Sequence, residues 1–142
     1  MPENNKFRVL FVCLGNACRS PMAEAIARFS ASDVLEPSSA GLYPLGYVPD
    51  MTQSTLARNG YEANGLSSKP LRDADFEAVD LVINLSGEPR HLAFADPAKV
   101  VDWDVADPYG ADPAVYQRIL EDLEQRVAEL AARLRDKSKE KK

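Results

Sequence analysis

FRVLFVCLGNACRSPMAE, residues 7–24, changes character twice, and those two changes decide the fold. Phe7 to Val12 is short, apolar and partly β-branched, the composition of a strand buried on both faces of a parallel sheet. Cys13 to Ser20 is a small-residue, polar loop. Met22, Ala23, Ile26, Ala27 and Phe29 then recur at helical spacing, with Ser20 as the expected N-cap and Pro21 as the first helical residue. The unit reads strand, loop, helix.

Working outward, a second strand is expected near Pro37 to Ala40, ending at Gly41, followed by a helix from Pro49 to Arg58 that Asn59-Gly60 stops. Ala78 to Leu85 reads as the third strand, Glu88 to Phe94 as a short helix and Lys99 to Trp103 as the fourth strand. From Asp112 to about Arg135, Val115, Ile119, Leu123, Val127, Leu130 and Leu134 describe one long amphipathic helix. Residues 137–142 are wholly polar, so a domain over 1–136 with a basic, disordered tail is expected. Alternating strands and helices imply an α/β fold with a parallel sheet and right-handed crossovers. Ligands of such sheets bind beyond the carboxyl ends of the strands, where the Cys13 loop must lie.

Composition narrows the function. The 142 residues fit one domain, and 45% hydrophobic with 27% charged residues is ordinary for a soluble chain. Seventeen basic against 22 acidic residues give a net charge of −5, which argues against a general nucleic-acid binder. No apolar run approaches the roughly 20 residues of a membrane span, and Met1 to Lys6 does not begin a signal peptide. Two cysteines and one histidine, His91, fall short of the about four ligands of a structural zinc site and of any disulfide scaffold. The expectation is a cytoplasmic, monomeric protein with no cofactor and no metal.

The loop itself points to chemistry. Backbone N–H groups and a helix N-terminus make an anion cradle, and Leu14, Gly15, Asn16, Ala17, Cys18, Arg19 and Ser20 are its expected phosphate-binding residues. Gly15 and Asn16 tolerate the left-handed backbone that a tight wrap demands. Arg19 would close the cradle with a planar fork, and Cys13 would lie at its floor, where the positive field favours thiolate. A cysteine that merely ends a strand and an arginine at the surface would explain each residue separately. The complete run of strand, Cys, Gly-Asn, Arg-Ser-Pro and helix is far more specific, and makes Cys13 a nucleophile.

Val12 to Glu24 resembles the signature of low-molecular-weight protein tyrosine phosphatases, and the likeness extends to Ser38-Ser-Ala-Gly41, Asp80 to Leu85 and Asp107-Pro-Tyr109. The resemblance implies a single-domain, flavodoxin-like three-layer fold whose four parallel strands run in the order 2-1-3-4. It implies a metal-independent, two-step reaction in which Cys13 attacks phosphorus and water hydrolyses the cysteinyl-phosphate. The substrate would be a phosphotyrosine-containing protein or an aryl phosphate. Arg19 would bind the phosphoryl oxygens, Ser20 would donate its hydroxyl to the thiolate, and Asn16 would support the loop through Ser39. Asp107 would be the general acid.

Of the other aspartates, Asp112 reads as the N-cap of the last helix and Asp96 as part of a connection, while Asp102 and Asp104 are alternatives for the acid. Tyr109, Tyr43 and Tyr47 are candidate pocket walls, although loop tyrosines are often half exposed for no functional reason. Cys18 either packs the loop or pairs reversibly with Cys13 under oxidation. His91 is expected to face solvent or cap a helix. The short segment Gly41 to Asp50 also resembles the related arsenate reductases, which use the same oxyanion loop. No cysteine follows Cys18, so an internal thiol relay is unavailable and an external thiol would have to serve. A non-catalytic phosphate-binding module is the third reading.

Overall fold

The computed structural model describes residues 6–140. Strand β1 (Phe7–Cys13) is central and lies almost wholly out of water, because both faces of the sheet are covered. Side-chain alternation divides it between two cores. Val9, Phe11 and Cys13 face the larger cluster, built with Met22 and Ile26 of α1 (Arg19–Ser30) and with Leu120, Leu123 and Val127 of α5 (Pro113–Glu140). Leu10 and Val12 face a smaller one with Phe76, Val82, Phe94 and Val100. The strand therefore reads as a continuous apolar run rather than an alternating one.

Strand β2 (Leu35–Gly41) pairs parallel with β1, bringing Gly41 opposite Cys13. On the other side lies β3 (Leu81–Asn84), with Asn84 opposite Val12, and then β4 (Val100–Asp102) at the edge. The order is β2-β1-β3-β4, all parallel, as the resemblance implies. Strand ends of β1, β2 and β3 meet at one edge of the sheet, and every connection leaving that edge contributes to the site described below.

The remaining elements are α2 (Asp50–Arg58), α3 (Asp73–Ala78), α4 (Arg90–Ala93) and a 3-10 turn over Pro97–Lys99. Asn59 follows α2 and Gly60 takes the positive φ (84°) that ends it. Asp112 caps α5, its Oδ1 accepting from Val115 N at 3.1 Å, and Asp96 caps the 3-10 turn by accepting from Ala98 N at 3.2 Å. No helix among the described residues is long and apolar enough to cross a membrane.

Several sequence expectations need correction. The segment expected as a strand from Ala78 is strand only over Leu81–Asn84, and the residues before it form α3, whose one buried side chain, Phe76, is too little to announce a helix. Helix α5 runs on to Glu140, since lysine and glutamate are good helix formers that extend an existing helix. The last two residues of that tail, 141 and 142, lie outside the described residues. Helix α1 begins three residues earlier than its apolar pattern: Cys18 occupies the cap position and makes no side-chain cap bond. Ser20 is not the cap, because its hydroxyl is engaged by Cys13. Pro21 sits in the first turn, where its missing N–H leaves no helical bond unmade.

Candidate active site

The segment between β1 and α1 wraps into a loop whose carbonyls at Cys13, Leu14, Gly15 and Ala17 are taken up by the chain around it. Cys13 O accepts from Leu42 N (3.1 Å), Leu14 O from Tyr43 N (2.8 Å) and Gly15 O from Leu45 N (2.8 Å), so the chain leaving β2 is zipped to the loop's outer rim. Ser68 Oγ donates to Gly15 O at 2.9 Å, and Thr52 Oγ1 of α2 donates to Ala17 O at 2.9 Å. With the carbonyls held outside, the amides point inward. The N–H groups of residues 14–19 find no protein acceptor among the described residues, an arrangement suited to an oxyanion and to the positive end of the α1 dipole.

Asn16 takes the left-handed conformation that allows this wrap, with φ 48°. Gly15, expected to share it, does not; a Cβ there would make only an ordinary contact with Leu45 at 3.8 Å. The glycine that the geometry requires is Gly41, at the end of β2. A Cβ on Gly41 would meet Asn16 N at 2.8 Å and Asn16 Cβ at 2.9 Å, so the loop could not close over it. Gly41→Ala is expected to cost about 1–3 kcal/mol and weaken phosphate binding. Melting temperature and phosphate affinity of the variant check this; unchanged values would mean the loop yields freely.

Asn16 is buried and saturated. Its Nδ2 donates to Ser20 Oγ (2.8 Å) and Ser39 Oγ (3.0 Å), and its Oδ1 accepts from Lys69 N (2.9 Å). Ser20 Oγ lies 3.0 Å from Cys13 Sγ. Cys18 Sγ lies 3.4 Å from the Tyr116 hydroxyl of α5; burial pushes its thiol pKa up, and the phenol beside it is likewise pushed up by burial.

Arg19, only 6% exposed, ties together the turns after β3 and β4: its Nη1 donates to Leu85 O (2.5 Å) and Val105 O (3.1 Å). Its Nε is buried without a hydrogen-bond partner among the described residues. The carbonyls thus clamp one corner of the guanidinium and leave its Nε–Nη2 edge, the edge that matches two oxygens of an oxyanion. Asp107 Oδ2 stands 3.7 Å from Arg19 Nη2, while its Oδ1 accepts from Tyr109 N at 3.1 Å, which fixes the carboxyl's direction.

These groups line one cavity of about 180 Å³, walled by Leu14, Gly15, Ala17, Cys18, Leu45, Tyr43 and Tyr109, which also takes in Cys13, Arg19 and Asp107. Tyr47 is not among the lining residues; it stands beside Tyr109, whose pKa its hydroxyl raises. Asp102 binds Asn84 Nδ2 at 2.9 Å, Asp104 offers its carbonyl to Arg126, and Asp96 and Asp112 cap helices, so none of these four lines the cavity. His91 is exposed on α4, apart from it. Sequence reasoning missed Leu45, Thr52, Ser68 and Lys69. Their contacts are made by backbone atoms or single hydroxyls, which leave no pattern along a chain.

Residues 8–140 match the family described as low molecular weight phosphotyrosine protein phosphatase. The solved structure of a low molecular weight protein tyrosine phosphatase from T. tengcongensis is 30% identical, with a TM-score of 0.81 over 90% of this chain and 99% of that one. YwlE arginine phosphatase from Geobacillus stearothermophilus is 28% identical, with a TM-score of 0.85 over 94% of this chain and 96% of that one. Arsenate reductase 1 of Bacillus cereus is 29% identical over 129 residues, 89% of this chain and 96% of the relative. With a match of that extent, on a parallel sheet that ends in an inward-facing amide loop around a cysteine, the chain belongs to the low molecular weight phosphotyrosine protein phosphatase family.

Proposed function

We propose that the protein hydrolyses phosphomonoesters, with phosphotyrosine in proteins as its substrate class and Cys13 as the nucleophile. The observation that carries this reading is the cradle: the amides of the loop after Cys13 and the Nε of Arg19, without a hydrogen-bond partner among the described residues, belong to the loop and the guanidinium that line one cavity with Cys13. Such a site holds three phosphoryl oxygens and leaves the phosphorus open to sulfur.

In the first step the Cys13 thiolate attacks phosphorus, the bond from phosphorus to the phenolic oxygen breaks, and the Asp107 carboxyl gives that oxygen its proton. In the second, the Asp107 carboxylate takes a proton from water as the water oxygen attacks phosphorus. The sulfur–phosphorus bond then breaks, releasing phosphate and restoring the thiolate. Arg19 and the loop amides carry the charge on the equatorial oxygens throughout, and Ser20 Oγ, 3.0 Å from the sulfur, supports its negative charge as leaving group. This chain's own cations and amides supply that charge stabilisation, so a chelator is expected to leave activity unchanged.

The walls favour an aryl ester over a phosphoguanidine. Leu14, Ala17, Leu45, Tyr43 and Tyr109 present an uncharged surface to the leaving group, and Asp107, the one acidic lining residue, faces Arg19. A cationic guanidinium would find no carboxylate of its own there, whereas a phenyl ring would find aromatic and aliphatic contacts.

The test is hydrolysis of para-nitrophenyl phosphate and of matched phosphotyrosine and phosphoarginine peptides, with and without chelator. Chelator-insensitive turnover that prefers the phosphotyrosine peptide is expected. Preference for phosphoarginine would overturn the substrate class. Phosphate binding without turnover would move the site to arsenate reduction with an added thiol, or to binding alone.

A further inference from the structure

Glu24 is the one acidic side chain buried inside α1, and the chemistry proposed above does not use it. Its Oε2 pairs with Arg28 one turn on, and its Oε1 accepts from Ser39 Oγ at 2.5 Å. We propose that Glu24 is a positioning residue that, in concert with Lys69 N at the Asn16 end, holds the donor–acceptor polarity of the chain Ser39, Asn16, Ser20, and so keeps the Ser20 hydroxyl proton on the Cys13 sulfur. This rests on the reading of Cys13 as the reacting thiol.

The polarity follows from counting protons. A carboxylate paired with arginine only accepts, so the single hydroxyl proton of Ser39 goes to Glu24. Ser39 Oγ must then accept from Asn16, whose amide orientation is independently fixed because Lys69 N, which can only donate, meets its Oδ1. The second hydrogen of Asn16 Nδ2 goes to Ser20 Oγ. Ser20 has one proton left, and Cys13 Sγ is the partner the structure gives it among the described residues. Every link is buried, so water cannot substitute for a wrongly directed donor.

Glu24→Gln keeps the shape and reverses one end. Arg28, a charged donor half exposed to solvent, competes with the buried Ser39 hydroxyl for the one carboxamide oxygen, and the charge-assisted bond to Arg28 turns the NH₂ to Ser39. The Ser39 proton is then driven toward Asn16 Nδ2, and two donors oppose each other. Ser39→Ala, by contrast, removes one acceptor and opposes nothing. The charged and thiol groups that share the Cys13 cavity, Arg19, Asp107 and Cys18, are left in place by both changes.

The readout is the pH dependence of Cys13 alkylation by iodoacetamide, located by fragment-ion sequencing, together with kcat and KM on an aryl phosphate. Cys18 shares the tryptic peptide 9–19 with Cys13 and is distinguished by the fragment ions between the two residues; burial also raises its thiol pKa. Glu24→Gln is expected to move the alkylation midpoint alkaline by about one pH unit and to lower kcat on the order of ten-fold with little change in KM. Ser39→Ala should shift the midpoint less. Adding Ser39→Ala to Glu24→Gln should move the midpoint and the melting temperature back toward the Ser39→Ala values, since the opposed donors are gone.

A Glu24→Gln profile superimposable on wild type overturns the proposal. So does a double variant no better than Glu24→Gln in profile or in stability, which would make Glu24 a packing residue. Should Glu24→Gln fail to fold, recovery of folding in the double variant supports the opposed-donor account and failure there contradicts it. Alkylation does not require turnover, so an inactive wild type with a normal alkylation profile would count against the phosphatase reading and leave this test intact.

Discussion

Cys13→Ser is expected to lower aryl phosphate turnover by on the order of 10⁴-fold or more while inorganic phosphate still binds. Binding and chemistry are carried by different atoms. The inward amides of residues 14–19 and the Nε–Nη2 edge of Arg19 are unchanged by the substitution, and Leu85 O and Val105 O continue to hold that edge in place. What is lost is a nucleophile that reacts as its anion, because a serine hydroxyl without an adjacent base attacks poorly. Thermal stabilisation by phosphate, which depends on affinity for the folded state, reports the first property and turnover the second. Equal loss of both would show that the sulfur shapes the cradle, and that the amides alone do not bind.

Asp107→Ala is expected to slow hydrolysis by about 10²–10⁴-fold for esters of poorly leaving phenols, and much less for nitrophenyl esters. The structure gives this residue two attachments: its Oδ1 accepts from Tyr109 N, and its Oδ2 faces Arg19 Nη2 at 3.7 Å across the cavity. An acid so placed matters in proportion to how badly the departing oxygen needs a proton. A leaving-group dependence unchanged in Asp107→Ala, but steepened in Asp104→Ala, would assign the acid elsewhere.

Much of this site was legible because its parts are adjacent in the chain. Cys13, Asn16, Arg19 and Ser20 lie within eight residues, between an apolar strand and a helix that the structure places as expected. Errors came where a local rule competed with a distant atom. Ser20 has the composition of an N-cap, yet its hydroxyl bonds Cys13 and the helix starts before it. Gly15 looks like the residue for a left-handed turn, yet Asn16 makes that turn and Gly41, 26 positions on, is the glycine without room for a side chain. Helix α3 was missed because a six-residue helix with one buried side chain has no periodicity to detect.

The amino-acid sequence by itself determined the parallel α/β class and the small-residue loop that joins the first strand to the first helix, with Cys13 at its start. Those features rest on hydrophobic runs and on backbone preferences that act over a few residues. Only the tertiary structure decided which of five aspartates joins that cysteine and which edge of Arg19 is free for an oxyanion. It also decided how a buried glutamate on α1 is connected to the sulfur. Each of those depends on chains meeting at one edge of the sheet: the turns after β3 and β4 meet at Arg19, and β2 meets α1 at Ser39. A hydrogen bond between residues 15 or 86 positions apart leaves no mark on the residues between them, so it becomes visible only when the strands are side by side.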